Sequence, residues 1–281
     1  MFGLFAYHVG ARSRSTYALL AAAMHLIISV VVAGLIAVLV FGFWFPSSLK
    51  DLVGGVNLFW IIIIVDVICG PLLTLVIFNP NKPRAELRSD IALVAVIQLC
   101  ALLYGIHTLA HARPVALVFE IDRFRVITYS DIVDEELPNV PDWAQPWSLA
   151  DIRTVGLRAT GTLEEKLSSI DASAQGVEPS QRPSRWQDYE LSKKMVLDRA
   201  RPLKALRDKY ADQSEIIEAA IKSGQILRKS GDIHNNATIL WLPVVSRRSN
   251  DWVVLIDRQD AQPLAYVHLN GFFEDRPNNI E

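Results

Sequence analysis

The chain has 281 residues, of which 51% are hydrophobic, with a net charge of −2 and two cysteines. A balance this close to neutral excludes the basic stripe of a nucleic-acid-binding protein. Both cysteines, Cys69 and Cys100, fall inside apolar stretches, so the rest of the chain has no disulfide framework. Charge is unevenly spread: residues 1–112 hold six Lys/Arg and four Asp/Glu, while residues 113–281 hold 22 and 26. That contrast predicts a membrane domain over residues 1–112 and a soluble domain over 113–281, the boundary falling near Arg113.

No charged residue occurs between Arg14 and Lys50, and the apolar core of this stretch runs from Leu19 to Phe45. A bilayer core of about 30 Å needs about 20 helical residues, so residues 19–45 are long enough to span with some tilt. The run is too long for the apolar region of a signal peptide. The small Ala21, Ala22 and Ala23 also stand at its beginning, whereas a cleavage site would follow it, so the span is expected to be retained. A second span covers residues 58–78 and carries Asp66 near its middle. A central Asp costs about 2.5–3.5 kcal/mol on insertion, and each central Leu, Ile, Val or Phe returns about 0.3–0.6. Fifteen such residues favour insertion of this stretch. The third span runs over residues 91–110, between Asp90 and Arg113.

Orientation follows from the flanking cations. Arg12 and Arg14 precede the first span, and Lys82, Arg84 and Arg88 lie between the second and third; the intervening loop offers only Lys50 beside Asp51. The positive-inside rule then predicts a cytoplasmic N-terminus and an extracytoplasmic C-terminal domain.

Within that domain, residues 115–127 (VALVFEIDRFRVI) read as one strand. Pro138–Pro146, with Trp143 and Trp147, read as an ordered loop, and 161–186 as irregular and partly mobile. Residues 188–199 and 202–222 read as helices, Pro202 in a first-turn position and Ile216, Ile217, Ala220 and Ile221 on an apolar face. Ala237–Val245, Trp252–Asp257 and Leu264–Leu269 read as strands, the last two joined as a hairpin. The expected fold class is therefore an α-helical membrane protein with three transmembrane helices, followed by a soluble α+β domain with a small antiparallel sheet.

Asp66 is the sharpest chemical feature. It precedes Pro71 by five residues in the run Asp66-Val-Ile-Cys-Gly70-Pro71-Leu-Leu-Thr74. In an α-helix Pro71 would free the carbonyl of Val67, Gly70 would allow close helix approach, and Thr74 could bond a freed backbone group. Depth counting places Gln98 of the third span at the level of Asp66, His25 nearer the cytoplasm and His107 nearer the outside. Three roles stay open for Asp66: locking the helices together, docking a partner's helix, or moving protons or ions, as in a small transporter. Arg113 and Pro114 join the membrane region to the domain, where the Arg suits either an interfacial anchor or a contact for a partner's juxtamembrane region. Asp122 and Arg123 could form a surface ion pair. The histidines, at 8, 25, 107, 111, 234 and 268, lack metal-ligand spacing, and no phosphate loop, nucleophile elbow or zinc-protease motif occurs. Nothing points to an enzyme, a metal or a cofactor. A ligand sensor would need a cytoplasmic output module larger than about 18 residues and a 12-residue loop.

The run Val65-Asp66-Val67-Ile68-Cys69-Gly70-Pro71-Leu72-Leu73-Thr74, followed by Phe78-Asn79-Pro80-Asn81-Lys82, Tyr104-Gly105, Arg113-Pro114-Val115, Val118-Phe119 and Asp122-Arg123-Phe124, resembles the TfpX/TfpZ family of type IV pilin accessory proteins. The likeness covers residues 20–130 and returns loosely at Leu255-Ile256-Asp257-Arg258; Cys69 stands where a small or aliphatic residue is expected. The resemblance implies a non-enzymatic protein of the bacterial inner membrane, with a periplasmic domain. It also implies a pilin-specific chaperone or assembly modulator whose partner is a type IV major pilin, with other pilus assembly proteins as possible neighbours. The expected partner-binding residues are Asp66, Gly70, Pro71, Thr74 and Gln98 toward a pilin helix. Arg113, Pro114, Asp122, Arg123 and Phe124 are expected toward the pilin head.

Overall fold

The computed structural model describes residues 3–45, 49–227 and 238–273, with side chains described from Ser15 onward except at residues 225–227. The strand start expected at Ala237, His234, and the side chains of His8, Arg12 and Arg14 lie outside the described residues. The chain divides into two compact units: residues 1–43 with 55–110, and residues 44–54 with 111–281.

The first unit is all-helical. Helix α1 (Gly3–Leu39) continues into a π-helical turn, Val40–Trp44. After α2 (Leu49–Leu52), which belongs to the second unit, come α3 (Gly55–Ile63), a π-helical segment (Ile64–Cys69) and α4 (Gly70–Ile77), which run on as one rod. Helix α5 (Arg84–Ala112) follows. Three stretches are long and apolar enough to cross a membrane: Ser15–Trp44, Gly55–Ile77 and Arg84–Ala112. At most 17% of any of their apolar windows is buried inside the protein, so their surfaces need an apolar surrounding.

The second unit is built on an eight-stranded sheet. Its strands are β1 (Pro114–Glu120), β2 (Arg123–Thr128), β3 (Arg153–Leu157), β4 (Trp186–Asp188), β5 (Arg201–Pro202), β6 (Ile239–Val245), β7 (Trp252–Asp257) and β8 (Pro263–Val267). The order is β4-β3-β1-β2-β6-β7-β8, with β5 against β6. The expected small antiparallel sheet is corrected here: β1–β3 and β2–β6 pair in parallel. A parallel neighbour must come from a distant crossover. Here β3 returns after the 129–152 loop, and β6 after helices α6 (Leu163–Ala174), α7 (Lys193–Arg199), α8 (Leu203–Lys209) and α9 (Ser214–Leu227).

Three further expectations change. The single strand read over 115–127 is a hairpin, Glu120 facing Arg123 across Ile121 and Asp122. Residues 161–186 contain helix α6, whose N-terminus is capped by Thr162 accepting from the Glu165 amide at 3.1 Å. The helix read over 202–222 is two helices broken at Tyr210–Gln213, and Pro202 precedes the first of them as its cap.

Two cores flank the sheet. On one, Leu206 of α8 and Ile217 and Ile221 of α9 pack on Trp241, Val253, Leu255 and Val267; Ile216 points outward. Burying side chains of this size contributes about 1.5–3 kcal/mol each. On the other, Val115, Val118 and Ile127 pack under Ile132, Val140 and Ala144 of the loop after β2. Residues 44–54 are built into this unit: Phe45 and Leu52 are fully buried, and the Ser246 hydroxyl donates to the Leu52 carbonyl at 2.9 Å. Gly54, at φ 73°, sits beneath Arg248, where a Cβ would collide with the guanidinium.

Candidate partner-binding site

In the first unit the expected residues gather around the π-helical segment. A π-helical register directs each carbonyl at the amide five residues on. The carbonyl stranded by Pro71 is therefore that of Asp66, one residue earlier than an α-helical register would free. Gln98 of α5 repairs the loss, its Nε2 donating to the Asp66 carbonyl at 3.3 Å. Gly70 makes this approach possible, because a Cβ there would strike the Gln98 amide. Gly105 of α5 makes a second, less tight approach to Ile62, whose Cγ1 would stand 2.8 Å from an added Cβ. Thr74 bonds not the helix backbone but His25 of α1, Nδ1 to Oγ1, at 2.6 Å.

Gln98 thus serves the backbone of Asp66, not its carboxylate. The half-buried carboxylate has no hydrogen-bond or ion-pair partner among the described residues; His25 is the charge-bearing neighbour close enough to interact with it. Beside this cluster a cavity of about 590 Å³ opens between α1, α4 and α5, walled by Tyr17, Leu20, Met24, His25, Thr74 and Gln98 among others. His25 is the participant that sequence reasoning missed. Depth counting along separate helices gave no sign that it meets Thr74, because that contact depends on how α1 packs on α4.

In the second unit, the 113–124 segment divides into buried and exposed parts. Arg113 is only 2% exposed. Its guanidinium donates to the carbonyls of Ser148 (2.6 Å), Trp143 (2.9 Å) and Ala150 (3.4 Å), so it organises the loop after β2. Burial lowers its pKa from the ordinary value. Pro114 and Phe124 are buried, the Phe124 ring lying 5.4 Å from Phe119 and 6.2 Å from Tyr189. Asp122 and Arg123 at the hairpin tip are accessible and pair with each other at 2.9 Å, Arg123 also lying over the Phe272 ring at 5.0 Å. Between them and β1 stands Ile121, 69% exposed and at φ 60°. The Asp122 amide donates to the Glu120 carbonyl across it at 2.7 Å, closing a γ-turn that is strained for a β-branched residue. No group of three or more His, Cys, Asp and Glu side chains able to hold a metal ion occurs among the described residues.

A family model described as "Fimbrial assembly protein FimB" matches residues 13–54. The fimbrial assembly proteins of serogroup I and serogroup E1 from Dichelobacter nodosus are each 32% identical to the chain over 249 residues, covering 88% of it and 93% of the relative. The fimbrial assembly protein of serogroups C1 and C2 is 40% identical over 127 residues, covering 45% of the chain and 97% of that relative. No solved structure matches. The motifs around Asp66 and Arg113 thus sit in a sequence alike over nearly its whole length, and the chain belongs to the fimbrial assembly protein family.

Proposed function

We propose that this chain is an inner-membrane accessory protein of type IV pilus assembly that receives a major pilin and stabilises it before or during assembly. Kinship with fimbrial assembly proteins supports a non-enzymatic role in that process. In this reading the three apolar helices cross the membrane with the N-terminus in the cytoplasm, and residues 113–281 form a periplasmic domain. A parity argument that owes nothing to charge supports the layout. Residues 44–54 and 111–281 share one compact unit, so the helices between them cross an even number of times.

The observation that carries the reading is the Asp66 carboxylate. Its own backbone carbonyl is satisfied by Gln98, yet the carboxylate, although near the His25 ring, has no hydrogen-bond or ion-pair partner among the described residues. A carboxylate left so in an apolar helix is costly unless something meets it, and a partner's helix can. Gly70, Pro71, Thr74 and Gln98 shape the surface around it. In the domain, Asp122 and Arg123 are placed to touch the pilin head, while Arg113, Pro114 and Phe124 hold that hairpin in position. The test is site-specific crosslinking of pilin to the second helix, with surface pili counted against total pilin. Asp66→Leu is expected to reduce both crosslinking and surface pili. Unchanged values in Asp66→Leu and Asp66→Asn would refute the intramembrane contact.

A further inference from the structure

Each of the three apolar stretches meets the sheet unit at one end. Trp44 closes Ser15–Trp44, Gly54 precedes Gly55–Ile77, and Arg113 follows Arg84–Ala112; all three residues belong to that unit. Whatever the unit packs against Trp44 and Arg113 therefore stands close to where the chain enters its apolar surroundings. One loop is packed against both. The Trp147 ring meets the buried Trp44 ring edge-on, with centroids 5.9 Å apart at 65°. The Arg113 guanidinium holds the carbonyls of Trp143, Ser148 and Ala150, so its bonds bracket Trp147 and Leu149.

The loop is also braced from within. The Ser148 amide donates to the Gln145 carbonyl at 3.1 Å, and Gln145 Nε2 donates to the Val140 carbonyl at 3.1 Å. Pro146 is buried, yet Trp147 and Leu149 are each 55% exposed. Residues 143–150 read Trp-Ala-Gln-Pro-Trp-Ser-Leu-Ala and carry no charge; Asp142 and Asp151 flank them. An exposed Trp and Leu on a braced, uncharged loop beside the end of an apolar span match the composition of a membrane–water interface belt. There the indole finds apolar contact for its body and water for its N–H. The loop offers no cation to an anionic headgroup.

We infer that Trp147 and Leu149 form an interfacial anchor: both side chains enter the boundary between headgroups and acyl chains of the bilayer and seat this face of the sheet unit on lipid. The inference rests on the membrane layout proposed above. Its occupant is the lipid itself, recognised through apolar contact and not through headgroup charge.

The test uses the full chain carrying Cys69→Ala and Cys100→Ala, reconstituted in phosphatidylcholine vesicles, with an environment-sensitive dye on Leu149→Cys, Ile121→Cys or Ile97→Cys. Ile121 is as open as Leu149 but lies about 20 Å along β1 from Pro114. Ile97 is an exposed residue near the middle of the third apolar stretch. Lipid bearing a nitroxide at the top of its acyl chain quenches the Leu149→Cys dye, whose emission is blue-shifted, and spares the Ile121→Cys dye. Adding phosphatidylglycerol leaves this unchanged. Trp147→Asp lowers the docked-to-undocked ratio about tenfold, read as lost quenching at Leu149→Cys; if that variant unfolds, the comparison of Leu149→Cys with Ile121→Cys still decides. Quenching no stronger at Leu149→Cys than at Ile121→Cys, or present only with phosphatidylglycerol, overturns the inference. The membrane layout survives that result if the Ile97→Cys dye is quenched by lipid, and falls with it if that dye escapes too. A Leu149→Cys dye shielded without lipid quenching, or only after pilin is added, assigns the surface to a protein and also overturns the inference.

Discussion

The two units solve the problem of polar groups in opposite ways. In the helical unit polar side chains are few, and those near the middle of the second helix each have one identifiable role. Gln98 restores a carbonyl bond lost to proline, Thr74 ties α4 to α1 through His25, and the Asp66 carboxylate has no hydrogen-bond or ion-pair partner among the described residues. In the sheet unit some buried polar groups are multiply satisfied, although Trp44 Nε1 and the Nε of Arg113, Arg185 and Arg207 have no hydrogen-bond partner among the described residues. Glu136, 7% exposed at its side chain, accepts from the Ser184 amide and hydroxyl, Asn139 and Arg182. The contrast teaches where to expect stability and where to expect recognition. A unit that spends hydrogen bonds on its own buried carboxylates gains stability from them, whereas a carboxylate without a hydrogen bond on an apolar helix is where the proposed contact with a partner would act.

The sharpest way to break this comparison is at Arg113. Arg113→Ala strands three loop carbonyls and leaves a cavity. It is expected to cost about 3–5 kcal/mol, since each buried carbonyl left unsatisfied costs about 1–3 kcal/mol, read as a lowered thermal midpoint of the sheet unit in the full chain. Arg113→Lys recovers only part of this, because an ammonium lacks the planar fork. Next in size is Glu136→Ala, expected to cost about 2–3 kcal/mol through unsatisfied donors, measured by chemical unfolding. The pH dependence follows the same group. Burial alone would raise the Glu136 pKa, but the bonds from Ser184, Asn139 and Arg182 outweigh it and hold the pKa below that of a free glutamate. A depressed folded-state pKa gives stability that is present above the unfolded value near 4.5 and lost as pH falls through the folded one. Glu165, held down to about 2 by Arg158 and the Gly161 amide, loses its contribution over the same acid range. The sheet unit should therefore weaken progressively below about pH 4.5, a trend that unfolding midpoints across pH would show or deny.

Smaller effects are expected in the helices. Gln98→Leu removes one interhelical hydrogen bond and should cost about 0.6–1.7 kcal/mol, measured by unfolding in mixed micelles. Gly70→Ala should match it, since both break the same contact. If either equals the loss at Arg113, the contrast between the units fails. The smallest expected effect is at Ile121. Ile121→Gly relieves the left-handed backbone but gains chain entropy in the unfolded state, so the net change should lie within about 1 kcal/mol of zero, checked by the same thermal scan.

The three apolar helices were legible because continuous apolarity over some 20 residues has few other uses. Pro71 announced a disturbed helix as well, but not its register: an α-helical count frees Val67, and the π-helical turn moves the stranded carbonyl to Asp66. The β1–β2 hairpin was hidden because Ile121 and Asp122 carry neither the Gly nor the Asn that such turns usually demand. The mixed sheet was illegible for a different reason. The parallel partners of β1 and β2 lie across long connections, and strand character alone does not say which distant run will arrive alongside. At the candidate site, Asp66, Gly70 and Gln98 could be picked out as odd residues in an apolar setting. His25 could not be joined to Thr74, because their meeting across 49 residues depends on how two rods lie together.

The hydrogen bond from Ser246 to Leu52 joins residues 194 positions apart. At about 5–20 residues per second, a ribosome needs on the order of 10–40 s to make the second after the first. Through that interval the Leu52 carbonyl waits without its donor, so the nascent chain passes through a stage in which this short apolar strap lacks part of its cover. Any helper that recognises incomplete proteins has that window in which to act, and the window shuts only when the late strands arrive.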